Sequence, residues 1–122
     1  MHIEKIYVNG AGVAAVSGDE ILISDGQSAL ELAMSVKHET GSDRLAIPKS
    51  AVSKSFFILS TGLAGEVLQK LTNYHIKAAF YGDYSGYTSK PLHDFIYESN
   101  MGSSFYFLAT KDEAIKKLSE AR

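Results

Sequence analysis

The chain has 122 residues, a formal net charge of −2, 45% hydrophobic and 21% charged residues, two prolines and no cysteine. That length suits one compact domain spanning residues 1–122, able to bury about 65% of the surface its unfolded form exposes, and the composition excludes a disordered chain. With no Lys/Arg run longer than Lys116-Lys117 there is no basic face for nucleic acid, and without cysteine there is no disulfide framework, thiolate metal site or cysteine nucleophile.

The opening MHIEKIYVNG lacks the basic and apolar regions of a signal peptide, and no apolar run approaches the ~18 residues of a membrane span. A cytoplasmic location away from membranes is the expectation. His2–Val8, rich in β-branched and aromatic residues, runs into Asn9-Gly10-Ala11-Gly12 and then the apolar Val13–Val16, the pattern of an antiparallel hairpin. Gly10-x-Gly12-x-x-Ala15 also fits the dinucleotide fingerprint, but Ser17-Gly18-Asp19 interrupts where a helix would have to start, which favours the hairpin. After a turn at Gly18-Asp19-Glu20, Ile21–Ile23 leads to Ser24-Asp25, either of which caps a helix over about Gln27–Glu39. Leu30, Ala33 and Met34 share one side of it, and Gly41 stops it. Arg44–Ile47 reads as a short strand that Pro48 either ends or places at a sheet edge, and Lys49–Ser55 as polar loop or loose turn.

Phe56–Leu71, FFILSTGLAGEVLQKL, is the centre of the chain. Large apolar residues run up to Ser60-Thr61, and a helix follows over about Thr61–Asn73 with Leu63, Ala64, Val67, Leu68 and Leu71 on its inner face. Phe56–Leu59 is open between strand, loop and an earlier helix start. Ser60 or Thr61 is placed to cap this helix, where unpaired N–H groups and partial positive charge suit a hydroxyl to carry or bind phosphate. Gly62 and Gly65 each cost about 1 kcal/mol relative to alanine in a helix interior. Backbone there is expected to approach something closely, whether sheet, partner or anion.

Ile76–Tyr81 reads as an interior parallel strand, apolar on both faces apart from Lys77 and ended by Gly82-Asp83. The polar and aromatic stretch Asp83–Lys90 leads to Ser89 as N-cap, with Pro91 in the first turn of a helix that turns Leu92, Phe95, Ile96 and Ser99 inward and ends near Asn100-Met101-Gly102. Phe105–Leu108 is the last strand. Thr110-x-x-Glu113 has capping-box spacing and opens a final helix with Ala114, Ile115 and Leu118 inward. The sum is an α/β domain: a single-layer mixed, mostly parallel sheet with an N-terminal antiparallel strand and packed helices.

Ser60 is the obvious nucleophile, but only half of the G-x-S-x-G elbow is present, since Gly62 supplies the second glycine and Ile58 stands at the first. His38-Glu39 and His93-Asp94 have no second histidine one helical turn on, so no metal site is expected. Nor is there a Walker phosphate loop, because Gly82 and Gly86 are wrongly spaced and Pro91 follows Lys90. Asp83–Ser89 does lie after a strand and before a helix, where ligands of α/β folds gather. Asp83, Tyr84, Ser85, Tyr87 and Thr88 therefore suit contact with a ligand or protein, or equally a connecting loop with aromatic packing.

Ser60-Thr61-Gly62-Leu63 resembles the motif of the STAS family, the domain of sulfate transporters and anti-sigma factor antagonists. There a strand ends in Asp-Ser-Ser/Thr-Gly-Leu, and the first hydroxyl is the phosphorylation site; here Leu59 occupies the acidic position. The order of elements is similar over nearly the whole chain. More closely, TGLAGE-x-LQK at Thr61–Lys70 and DFIYESN-x-G at Asp94–Gly102 resemble a small bacterial family defined as a domain of unknown function. The STAS resemblance implies a non-catalytic module without a cofactor, in which unphosphorylated Ser60 binds a protein partner and phosphorylation ends that binding. Self-association stays open. The rival expectation is a small enzyme or ligand-binding protein that uses the Ser60/Thr61 helix start with the Asp83–Ser89 loop.

Overall fold

The computed structural model describes residues 1–121. Its strands lie side by side in chain order: β1 (His2–Val8), β2 (Ala11–Ser17), β3 (Arg44–Pro48), β4 (Lys77–Tyr81) and β5 (Phe105–Leu108). β1 and β2 pair antiparallel and every later pair is parallel, the mixed, mostly parallel sheet expected from the sequence. Asn9 and Gly10 both have positive φ, 50° and 82°, and join Val8 to its partner Ala11. Such a two-residue turn matches the twist of the flanking strands. It starts β2 at Ala11 and places Gly10–Ala15 in turn and strand, which removes the dinucleotide reading.

Each parallel connection moves one place in the same direction, so right-handed crossovers stack α1 (Gly26–Thr40), α2 (Leu63–Asn73) and α3 (Lys90–Met101) on one face. Beneath them lies the larger core, including Val16, Leu45, Ile47, Phe56, Phe80 and Phe107. α4 (Lys111–Glu120) follows β5 after a two-residue link and lies on the opposite face. There Val13, Ala15, Ala46 and Ala79 offer a surface of small side chains to Ala114, Ile115 and Leu118. Side-chain alternation in β4 sends Ala78 and Phe80 to the first core and Ala79 to the second, as its two-sided apolar pattern implied.

The caps explain the boundaries. Of the two candidates at the start of α1, Asp25 is the cap: its Oδ1 accepts from Ser28 N at 2.7 Å, and Ser28 Oγ accepts from Asp25 N at 3.0 Å. Gly41, at φ 77°, closes the helix. Ser89 caps α3, and Thr110 caps α4 by accepting from Glu113 N. Pro48 ends β3 and does not mark an edge, since β3 is flanked by β2 and β4.

One expectation is corrected here. α2 begins at Leu63, not Thr61, and its N-cap is Gly62 in the left-handed conformation, φ 78°, with no side-chain cap. Neither Ser60 nor Thr61 is the cap residue.

Candidate functional site

The candidate site follows from two adjacent phenylalanines that both point inward. Phe56 reaches the main core, 5.4 Å from Phe80 and 6.2 Å from Phe107 between ring centroids, while Phe57 packs on Tyr84 and Tyr87 at 5.8 and 5.7 Å. A strand sends neighbouring side chains to opposite faces, so two consecutive buried rings need a tighter path. The chain takes it through three short 3-10 turns, Lys49–Ala51, Lys54–Phe57 and Leu59–Thr61. Phe56–Leu59 is thus neither strand nor an early start of α2.

The last turn separates the two hydroxyls by role. Thr61 Oγ1 lies within donating distance of two carbonyls, Ser55 O at 2.8 Å and Ile58 O at 2.9 Å, and accepts from Leu63 N at 3.2 Å. It ties the turn to the start of α2. Ser60 is exposed, and its side chain forms no cap bond. Beside it Ile58 is 55% exposed.

For the two glycines, approach to the sheet is removed. A Cβ at Gly62 or Gly65 would meet nothing within 4 Å, so neither serves close packing within this chain. Gly62 is explained by its positive φ. Gly65 is exposed, helical and unexplained by any internal contact. The glycine of closest helix approach is instead Gly26 at the start of α1, where a Cβ would stand 2.9 Å from Glu66 Oε2 and 3.0 Å from Lys70 Cγ.

The loop after β4 supplies the facing wall, and its residues divide likewise. Tyr84 is structural: its hydroxyl donates to Phe80 O at 2.9 Å, and burial pushes its phenol far above the usual range. Asp83 Oδ1 accepts from Ser85 Oγ at 2.6 Å and Ser85 N at 2.9 Å, bonds that hold the carboxyl below its ordinary range. Tyr87 and Thr88 face a groove of about 390 Å³ whose other side carries Ile58, Leu59 and Ser60. The groove is open to solvent. Ser60 and the loop are therefore brought together along an open rim.

Phe57, Ile58 and Tyr87 also wall a larger cleft of about 700 Å³ at the carboxyl ends of β3 and β4. Lys49 and Lys54 line it, residues that sequence reasoning left in a polar loop. Their signal was positional, because Lys49 directly follows the last residue of a parallel strand, where α/β sites form. All four histidines are exposed. His93 Nε2 donates to Tyr87 O at 2.5 Å, and no hydrogen bond joins a histidine to Ser60 among the described residues. Among those residues no three His, Asp or Glu side chains gather as metal ligands, and no helix is long and apolar enough to cross a membrane.

A family profile described as a domain of unknown function, DUF4180, matches residues 8–118. The chain belongs to the DUF4180 family. The match runs from the end of β1 into α4, so the turn at Ser60, the Asp83–Ser89 loop and the cleft all lie inside the family domain. No curated protein and no solved structure matches the chain. The segments TGLAGE-x-LQK and DFIYESN-x-G of this chain fall on the start of α2 and on α3, the first bordering the candidate site. The STAS pattern of a strand leading straight into the hydroxyl is not met, since β3 ends at Pro48 and the 3-10 turns intervene before Ser60.

Proposed function

We propose that this chain is a cytoplasmic binding module without catalysis of its own, STAS-like in the order of its elements though not in the path that leads to Ser60. It takes a protein partner on the surface around Ile58, Ser60, Gly62 and Gly65, and phosphorylation of Ser60 releases that partner. Gly65 is the observation that carries the reading. It holds backbone open to solvent in the first turns of α2, where alanine would add about 1 kcal/mol of stability and meet no neighbour. Of the three explanations for close approach at these glycines, internal packing is gone, and a protein partner suits a surface that also presents Ile58.

Ser60 suits the switch because its hydroxyl is exposed and free of the bonds that bind Thr61. A phosphate there adds about −1.5 to −2 charge beside a helix start, so the fold tolerates it while a docked apolar surface does not. Catalysis by Ser60 has less support, because no base is hydrogen-bonded to it among the described residues.

The test is capture of partners from a lysate of the native host with wild-type, Ser60→Ala and Ser60→Asp proteins. Wild type and Ser60→Ala should retain one partner that Ser60→Asp loses, and native protein should yield a phosphopeptide containing Ser60. Identical partner sets for all three, with Ser60 unmodified, would reject the switch.

A further inference from the structure

The cleft below the Ser60 rim has a chemistry of its own. The strand order never reverses, so it is not the usual crevice of a doubly wound sheet. It forms because the connection from β3 to α2 is long and folded on itself, while the loop after β4 raises Tyr84 and Tyr87 opposite it. Its volume of about 700 Å³ falls in the range of small-molecule sites, and Ile21, Val52, Phe57, Ile58 and Tyr87 make most of its wall apolar.

Into this wall the fold places one ordered cation. Lys49 Nζ stands 4.5 Å from the Tyr87 ring centroid, 5.6 Å from Tyr84 and 5.9 Å from Phe57, and donates to Asp83 O at 2.9 Å. Its stem runs against the backbone of Gly82, where a Cβ would come within 2.7 Å of Lys49 Cβ. That carbonyl is its one hydrogen-bond partner among the described residues, and an ammonium has three donors. The single carboxylate of the lining, Asp83, takes both Ser85 bonds on one oxygen and stays charged, within electrostatic reach of Lys49. Lys54 adds a second positive charge at the edge.

We propose that this cleft binds a small organic monocarboxylate with a flat apolar body, its carboxylate on Lys49 and its body against Phe57, Ile58 and Tyr87. A single negative charge fits, because the two ammonium groups of the lining, Lys49 and Lys54, are offset in part by the Asp83 carboxylate, which leaves little for a dianion. A phosphate group would call for several converging N–H donors. The apolar wall supplies the remaining contact, as ligand sites commonly do.

The full chain, labelled with ¹⁵N, would be titrated with 2-naphthoate, 2-naphthamide and inorganic phosphate while amide shifts are followed. The expected result is saturable movement at Phe57, Ile58, Gly82 and Tyr87 with naphthoate, at an affinity about tenfold above that of the neutral amide. Phosphate should leave those amides unmoved. Lys49→Met, which keeps the stem, should bring naphthoate down to the level of the amide. Lys49→Gln gives the same comparison if the methionine variant folds poorly. Equal binding of acid and amide by wild type, binding of phosphate as strong as naphthoate, shifts that map elsewhere, or no saturation at the solubility limit would each overturn the proposal.

Discussion

The side chain of Asn100 on α3 pairs with the backbone of Phe107 on β5 as a neighbouring strand would. Phe107 N donates to Asn100 Oδ1 at 2.7 Å, and Asn100 Nδ2 donates to Phe107 O at 3.0 Å. β5 is an edge strand, and open edges template pairing with other chains. One amide thus satisfies both backbone groups of Phe107 and blocks the edge at that residue. Asn100→Ala should cost about 1–3 kcal/mol, because it leaves partly buried backbone groups unpaired. Urea denaturation gives the cost, and light scattering should report more concentration-dependent association than wild type shows. An unchanged midpoint would show that water replaces the amide without loss.

Gly26 and Glu66 form a second device, this one between helices. Gly26 N donates to Glu66 Oε2 at 2.5 Å, so a carboxylate from α2 sits at the N-terminus of α1, where the helix dipole favours negative charge. Gly26→Val should destabilise by about 1–3 kcal/mol by overpacking against Glu66 and Lys70. Glu66→Ala in the same chain should recover part of that loss, so the two effects should fall short of additivity in a double-mutant cycle. Strict additivity would mean that the helices separate freely.

The two hydroxyls of the turn should separate in stability measurements. Thr61→Val removes the bonds to Ser55 O, Ile58 O and Leu63 N and should cost about 1–2 kcal/mol, whereas Ser60→Ala should stay within about 0.5 kcal/mol of wild type. Gly65→Ala should stabilise by about 0.5–1 kcal/mol while weakening partner capture. A gain in stability with undiminished capture would remove Gly65 from the binding surface.

Tyr84 contributes most to the alkaline limit, with Tyr81 and Tyr106 shifted upward by burial in the same direction. Its folded pKa is raised, chiefly by burial, so above the ordinary tyrosine pKa of 10.0 the folded state keeps a proton that the unfolded state releases. The unfolded state then binds fewer protons, and stability falls as pH rises from about 10. Urea midpoints measured from pH 8 upward should decline in that range, and Tyr84→Phe should flatten the decline. The same variant should be less stable at neutral pH by about 1–3 kcal/mol, since Phe80 O loses its hydroxyl donor.

The sheet was legible because its signals are local. Asn9-Gly10 fixes the hairpin, Gly41 stops α1, and Asp25, Ser89 and Thr110 cap their helices through their own side chains. The strictly alternating order of later elements left little choice of topology. The start of α2 was not legible, because Phe56 and Phe57 are both buried by partners distant in sequence, Phe80, Phe107, Tyr84 and Tyr87. Tertiary packing there outweighs the helical pattern that begins at Leu63. The same distance hid Lys49: nothing in PKSAVSKS indicates that its ammonium meets rings brought in from a loop beyond β4. Gly62 and Gly65 drew notice as a pair, yet the first answers to backbone conformation alone and the second to no internal contact.

The most direct measurement of whether this surface takes a protein is site-specific photo-crosslinking in the native host. Benzoylphenylalanine would replace Ile58 beside Ser60 or, in a control, Tyr74, which is exposed at the far end of α2. A discrete protein adduct is expected from position 58, with none from position 74, and it should disappear when Ser60→Asp is added. Adducts from neither position, or the same adducts from both regardless of Ser60, would contradict a phosphorylation-sensitive docking surface at this turn.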